Sequence, residues 1–275
     1  MSYYKVLNLN KEPFSTSPDP YFFYPSTLHK QAIQRLEIAI RLKRGLSVIL
    51  GDVGIGKTTL ARALMQGLGH SDGFISHMIL DPTYDSEFQF VTYLAKLLGI
   101  RSSFRSTLDY KESIERFLFK KCVDEDNIVV LLIDEGQKLS ISSLEILRTF
   151  LNFETNEYKL LQLVIMGQME LLPRIERIRN FSDRISLKYI LNPLDENETK
   201  GMIEFRLLQA GLNSGREIFT EGAMALIYQY TQGYPRKIAM LCHNILEELV
   251  MRDKRIVEES LVNEVIERDR KAGQN

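Results

Sequence analysis

The sequence predicts an α/β fold, a parallel five-stranded sheet sandwiched by helices, with an all-helical domain at its C-terminal end. Three observations carry the prediction. Apolar-rich runs near 46–50, 74–80, 128–133 and 160–166, and a mixed run at 183–190, alternate with stretches whose apolar residues recur at helical spacing. That alternation is the pattern of strands joined through crossover helices into a parallel sheet. The run Ile128–Ile133 is apolar at every position, as a strand covered on both faces must be. From Asp195 onward strand patterning stops and only helical periodicity continues.

Length and composition narrow the class. A chain of 275 residues can bury one large core, or a core with a smaller companion. Its 44% hydrophobic and 26% charged residues are those of a soluble globular protein. A net charge of −1 supplies no global basic field, so nucleic acid or acidic lipid would need a local patch or a ring of subunits. Cys122 and Cys242 have no metal-ligand spacing and fall on apolar helical faces, which makes them reduced core residues. Met1-Ser2-Tyr3-Tyr4 has no basic segment leading into an apolar one, and no apolar run is long enough to span a bilayer. The expectation is a cytoplasmic protein with no direct membrane insertion.

The strongest chemical signal is Gly51-Asp52-Val53-Gly54-Ile55-Gly56-Lys57-Thr58-Thr59. It follows the first strand and leads into Leu60-Ala61-Arg62-Ala63-Leu64-Met65, an apolar face at helical spacing. Strand, glycine loop and helix are the setting in which G-x-x-x-x-G-K-[ST] cradles phosphate. Gly51, Gly54 and Gly56 let backbone N–H groups curl toward phosphate oxygens, and the following helix adds the positive end of its dipole. Lys57 brings a mobile charge to the β/γ phosphates, and the Thr58 hydroxyl can complete an Mg2+ shell. Residues 51–59 are therefore read as binding a nucleoside triphosphate.

A second motif closes the third strand. Asp134 and Glu135 follow Ile133, at the strand end where parallel sheets place their ligands. Asp134 is the candidate metal ligand and Glu135 the candidate base for an attacking water, so the pair argues for hydrolysis and not binding alone. Gln137 and Lys138 are expected to open the next helix. Gln168, after the fourth strand, is either a sensor of the terminal phosphate or a helix-capping amide. Arg184 lies at the rim before the fifth strand and suits a finger acting in trans on a neighbour's nucleotide. Arg179 is its rival, and plain surface roles are the alternative for both. Arg236 follows Gly233-Tyr234-Pro235 in the first turn of a helix. The dipole opposes a cation there, and an external anion such as the β/γ phosphates would offset it.

Elsewhere the signals are weaker. The segment 1–25 is dense in proline and aromatics, among them Tyr3, Pro13, Phe14, Pro18, Pro20 and Phe22. It reads as an extended stretch packing on the core, as filler or as a wall of the adenine pocket. Ser26 resembles an N-cap, Gly67 and Gly69 are expected to end the helix after the phosphate loop, His77 reads as a satisfied or partly exposed histidine with no ligand role, and His243 reads as a packing residue. Residues 101–106 form a basic loop around Phe104, either a solvated connection or, in a ring, a contact for a phosphate backbone. The polar tail 268–275 is expected to fray. The organisation expected is thus an extended segment at 1–25, a nucleotide-binding core at 26–194 and a helical lid at 195–275.

This order of elements resembles an AAA+ ATPase, a phosphate-loop NTPase. Gly233-x-Pro235-Arg236 and the paired helices before the third strand resemble its initiator-type branch. A closer resemblance spans nearly the whole chain. Tyr3-Tyr4 with Pro13-Phe14, Ser17-Pro18-Asp19-Pro20-x-Phe22-Phe23-Tyr24, His29, Asp134-Glu135-Gly136-Gln137 and Gly167-Gln168 are similar to the general secretion pathway protein A (ExeA) type of ATPase. So are Asp183-Arg184-Ile185, Leu191-x-Pro193-Leu194 and Glu198-Thr199. Gly136 stands where that family usually has alanine, which bears on local helix packing. The resemblance implies ATP and Mg2+, hydrolysis to ADP and phosphate, a homo-oligomeric ring or filament, and a secretion or cell-envelope complex as client. Similar stand-alone ATPases regulate DNA transposition on duplex DNA, the second class of partner.

Overall fold

In a computed structural model the described residues are 2–101, 103–213 and 215–272. In chain order the elements are α1 (Tyr3–Val6), α2 (Thr27–Arg41), β1 (Leu46–Gly51), α3 (Lys57–Gly69), β2 (Phe74–Ile79), α4 (Glu87–Leu97), α5 (Thr107–Phe119), β3 (Ile128–Ile133), α6 (Ile141–Phe150), β4 (Leu161–Gly167), α7 (Leu171–Glu176), β5 (Ile185–Leu191), α8 (Glu196–Gln209), α9 (Glu221–Thr231), α10 (Pro235–Met251) and α11 (Glu259–Ala272). They fall into two compact units. One comprises His29–Val53 and Leu60–Leu191; the other comprises the segment before residue 29, Gly54–Thr59, and the chain from Asn192 onward.

The first unit is built on a sheet of order β2-β3-β4-β1-β5 with every pair parallel. One face is covered by Phe90 and Leu94 of α4, Ile114 and Leu118 of α5, and Leu144, Leu147 and Phe150 of α6, packed with Val48, Leu50, Val129, Leu131, Leu163 and Ile165. The alternate strand residues Ile49, Val130, Leu132, Val164 and Met166 are equally buried. Burial on both faces is why these strands are mostly apolar, with Ser47 and Gln162 the buried polar exceptions. On the edge strand β5 the pattern relaxes, with Ser186, Lys188 and Ile190 exposed, and an outward lysine discourages further strand pairing. Because all strands run one way, the residues that follow Gly51, Ile133 and Gly167 emerge at one edge of the sheet.

Several local expectations change. Gly67 lies inside α3 and only Gly69 closes it. Gln137 and Lys138 belong to a single 3-10 turn, Gly136–Lys138, and do not open the next helix. The cause is Glu135, whose left-handed backbone (φ 52°) reverses the chain after β3. The helix begins only at α6, where the Ser140 hydroxyl accepts the Ser143 N–H at 3.0 Å. Cys122 is buried in a π-helical turn after α5, and burial pushes its thiol pKa up. His77, half-buried in β2, has its pKa lowered by desolvation and so favours the neutral form.

In the second unit, α8 to α11 pack Ile203, Leu207, Ile227, Ile238, Ile245 and Val262 into one apolar cluster. The helices start where their caps dictate. Asp195 accepts the Glu198 N–H at 2.7 Å, Thr220 accepts the Ala223 N–H at 3.1 Å, and Pro235 occupies the first position of α10. Cys242 is fully buried here, and desolvation raises its thiol pKa. Gly233 (φ 73°) brings the backbone against Leu194, whose N–H donates to the Gly233 carbonyl at 3.0 Å. A Cβ at 233 would meet the Leu194 carbonyl oxygen at 1.9 Å, so only glycine fits.

The N-terminal segment differs from the extended stretch expected over the core. It contains the short helix α1 and a 3-10 turn at Pro20–Phe22, and Tyr3, Leu7, Leu9, Phe14 and Phe22 join the apolar cluster of the helical unit. Its carbonyls need donors, and two arginines provide them. Arg206 Nη1 donates to the carbonyls of Pro13 at 3.4 Å and Ser15 at 3.2 Å, and Arg216 Nη1 donates to that of Leu7 at 3.0 Å. At the other end α11 runs through Ala272, so residues 268–272 are helical where fraying was expected. Gly273-Gln274-Asn275, and Ser102 of the 101–106 loop, lie outside the described residues. Among the described residues, no helix is long and apolar enough to cross a membrane.

Candidate nucleotide site

β1 ends at Gly51, and the chain enters the glycine loop. Gly54 (φ 80°) and Gly56 (φ 102°) are left-handed, conformations that a Cβ disfavours. Ile55 is buried, which anchors the loop, while Val53 is exposed. Lys57 is buried and is the first residue of α3, with Thr58 and Thr59 half-buried behind it and Asp52 exposed before it. Arg236, the second residue of α10, donates its backbone N–H to the Gly54 carbonyl at 3.1 Å. A Cβ on Gly54 would stand 3.0 Å from that of Arg236. Gly54 is therefore required twice, by its torsion and by the approach of α10.

At the C-terminal edge of the sheet, Asp134 is 1% exposed. Its N–H donates to the Ile79 carbonyl at 2.8 Å, and its Oδ1 accepts the Glu135 N–H at 2.9 Å. Glu135 is half-buried, and its Oε2 accepts a hydrogen bond from Gln137 Nε2 at 2.8 Å. The other end of that amide, Gln137 Oε1, accepts the backbone N–H of Gln168 at 3.1 Å. The side chain that links the carboxylate to the end of β4 is thus Gln137, which the sequence placed in a familial motif and at a helix opening but gave no role beside Glu135. Gln168 enters this network through its backbone. Gly136 has no room for a side chain: a Cβ would lie 2.4 Å from Ile165 Cγ2 and 3.1 Å from the Met166 carbonyl oxygen.

Arg184 closes a short turn, Ser182–Arg184, and its Nε donates to the Asn180 carbonyl at 3.2 Å. It enters β5 at that strand's N-terminal end, whereas Asp134 and Glu135 follow the C-terminal end of β3. Six-residue strands at about 3.3 Å per residue separate these edges by roughly 20 Å. Arg179 is exposed on the same connection, as are Arg177 before it and Arg101 and Arg105 elsewhere in the sheet unit.

Taken one by one, the residues suit a triphosphate and a hard metal: left-handed Gly54 and Gly56 leave Cβ-free backbone, and Thr58 and Asp134 each carry an oxygen of the kind Mg2+ prefers.

Residues 40–175 match a family model described as an AAA domain. General secretion pathway protein A of Aeromonas hydrophila is 33% identical over 253 residues, which is 89% of this chain and 44% of that protein. The chain thus spans less than half the length of that relative. Cdc6p from Pyrobaculum aerophilum superposes with a TM-score of 0.66 at 18% identity, covering 89% of this chain and 67% of that one. The ORC1 protein of Aeropyrum pernix, solved in complex with DNA, gives 0.63 at 18% identity, covering 93% and 68%. These structural likenesses establish the fold: a parallel sheet flanked by helices, with a helical C-terminal region.

Proposed function

We propose, for a chain that belongs to the AAA+ ATPases of the general secretion pathway protein A type, that it is a cytoplasmic, homo-oligomeric enzyme hydrolysing ATP to ADP and phosphate. The observation that carries this reading is the loop 51–59, with left-handed Gly54 and Gly56, Lys57 opening α3, and Arg236 bonded to Gly54. Loop N–H groups and Lys57 hold the β and γ phosphates, and the Arg236 side chain answers their charge. Glu135 accepts a proton from the attacking water. Thr58 and Asp134 would hold Mg2+, which when bound neutralises phosphate charge. Phosphate release from ATP, dependent on added Mg2+, tests the reading; a chain that binds ATP with no turnover would reduce it to a nucleotide-gated switch.

Arg184 supports the oligomer. Lying at the sheet edge opposite Glu135, it can serve catalysis only from a second copy. The expected result for Arg184→Ala is unchanged ATP binding with turnover lowered about 10³-fold, the lower end for a trans-acting arginine. Unchanged turnover would remove this residue from the reaction and leave Arg179 as the candidate.

For the client, the 33% identity over 89% of the chain supports assembly of a secretion or cell-envelope complex. Exposed Arg101, Arg105, Arg177 and Arg179 favour a second reading, an ATP-dependent regulator on duplex DNA. Duplex binding with an ATP analogue that weakens steeply as salt rises supports the second reading; no binding at low salt supports the first.

A further inference from the structure

Resting on the ATPase reading, we propose that Gln137 is a positioning residue: its side-chain amide orients the Glu135 carboxylate and ties it to β4 and α7. The amide spans two partners of opposite kind. Nε2 donates to Glu135 Oε2 at 2.8 Å, and Oε1 accepts the Gln168 N–H at 3.1 Å. Only one orientation of the amide satisfies both, since the flipped form would set oxygen against carboxylate and NH2 against N–H. A third contact fixes the backbone, where the Arg174 guanidinium on α7 donates to the Gln137 carbonyl.

Two features show that this placement is imposed by the surroundings. Glu135 sits in the left-handed region (φ 52°), which a non-glycine residue holds only when its neighbours over-determine it. The adjoining Gly136 is pressed against Ile165 of β4 and Leu171 of α7, with no space for a methyl group. Gln137 is therefore carried by β4 and α7, and its amide transfers their position to the carboxylate. A general base must stand within hydrogen-bond reach of the water it activates, and small misplacements are costly in rate. Gln137 touches no reacting atom in this scheme and acts through Glu135.

Gln137→Leu keeps the bulk and removes both side-chain bonds. The expected result is a kcat lowered about 10- to 100-fold, with KM for ATP and affinity for a non-hydrolysable analogue little changed. Gln137→Glu, which retains polarity if the leucine variant folds poorly, cannot donate to Glu135 and should show the same loss in kcat. Arg174→Ala should lower kcat in the same direction and combine non-additively with Gln137→Leu. Adding Gln137→Leu to Glu135→Gln should reduce turnover no further, because the group being positioned is already gone. Wild-type kcat in both Gln137 variants, or a KM that rises as much as kcat falls, overturns the proposal while leaving the ATPase reading standing. A wild-type chain with no turnover overturns that reading and the positioning role together.

Discussion

Replacing Lys57 with alanine is expected to weaken ATP binding at least about 100-fold, the equivalent of roughly 3 kcal/mol for lost charge-assisted bonds to phosphate. The expectation comes from where this cation sits. Lys57 is 6% exposed at the first position of α3, and the helix dipole there opposes positive charge. The Lys57→Ala chain should still show a cooperative unfolding transition without nucleotide. What it should lose is the rise in Tm on adding MgATP, since a ligand stabilises only in proportion to its occupancy of the native state. Thermal unfolding with and without MgATP, alongside titration of a fluorescent ATP analogue, measures both. A variant still stabilised by MgATP to the wild-type extent would strip Lys57 of its role in phosphate binding.

Much of the fold was legible because its cause is local. A strand covered on both faces is driven toward apolar residues, and β3, apolar at each of its six positions, announces itself that way. The phosphate loop was legible because left-handed torsions demand glycine, and Gly54 and Gly56 adopt them. The N-terminal segment shows the opposite case. Its aromatics declare that they will be buried, but their partners lie some two hundred residues away in sequence, as with Tyr3 Oη and His243 Nδ1 at 3.2 Å. Nor does proline density reveal that Arg206 will supply donors to the carbonyls of Pro13 and Ser15.

Near the acidic pair the difficulty was a single torsion. Helical spacing after Glu135 suggested a helix opening at Gln137, but a left-handed residue at 135 postpones it and turns Gln137 back toward the carboxylate. Gly136 was visible as a departure from a familial alanine. Its steric reason, the nearness of Ile165 on a strand about thirty residues away, is a tertiary fact that no local pattern contains.

Glu135→Gln is expected to bind ATP with near wild-type affinity while turnover falls about 10²- to 10⁴-fold, the range for loss of a general base. The substitution is well suited to isolating chemistry from structure. Glutamine is isosteric, and its amide oxygen can still accept the hydrogen bond that Gln137 Nε2 now gives to Oε2. The left-handed turn at 135 and the Asp134 bond to the following N–H involve backbone atoms that the substitution leaves in place. What disappears is the carboxylate's basicity and its negative charge, while the Asp134 side chain is left in place. If subunits associate through a bound triphosphate that Arg184 reaches from a neighbour, blocking hydrolysis should prolong that association. Size-exclusion chromatography in MgATP should then show a larger species in Glu135→Gln than in the wild type, and the double variant Glu135→Gln with Arg184→Ala should lose it. Wild-type turnover in Glu135→Gln would exclude this carboxylate as the base and with it the hydrolytic assignment of the acidic strand end.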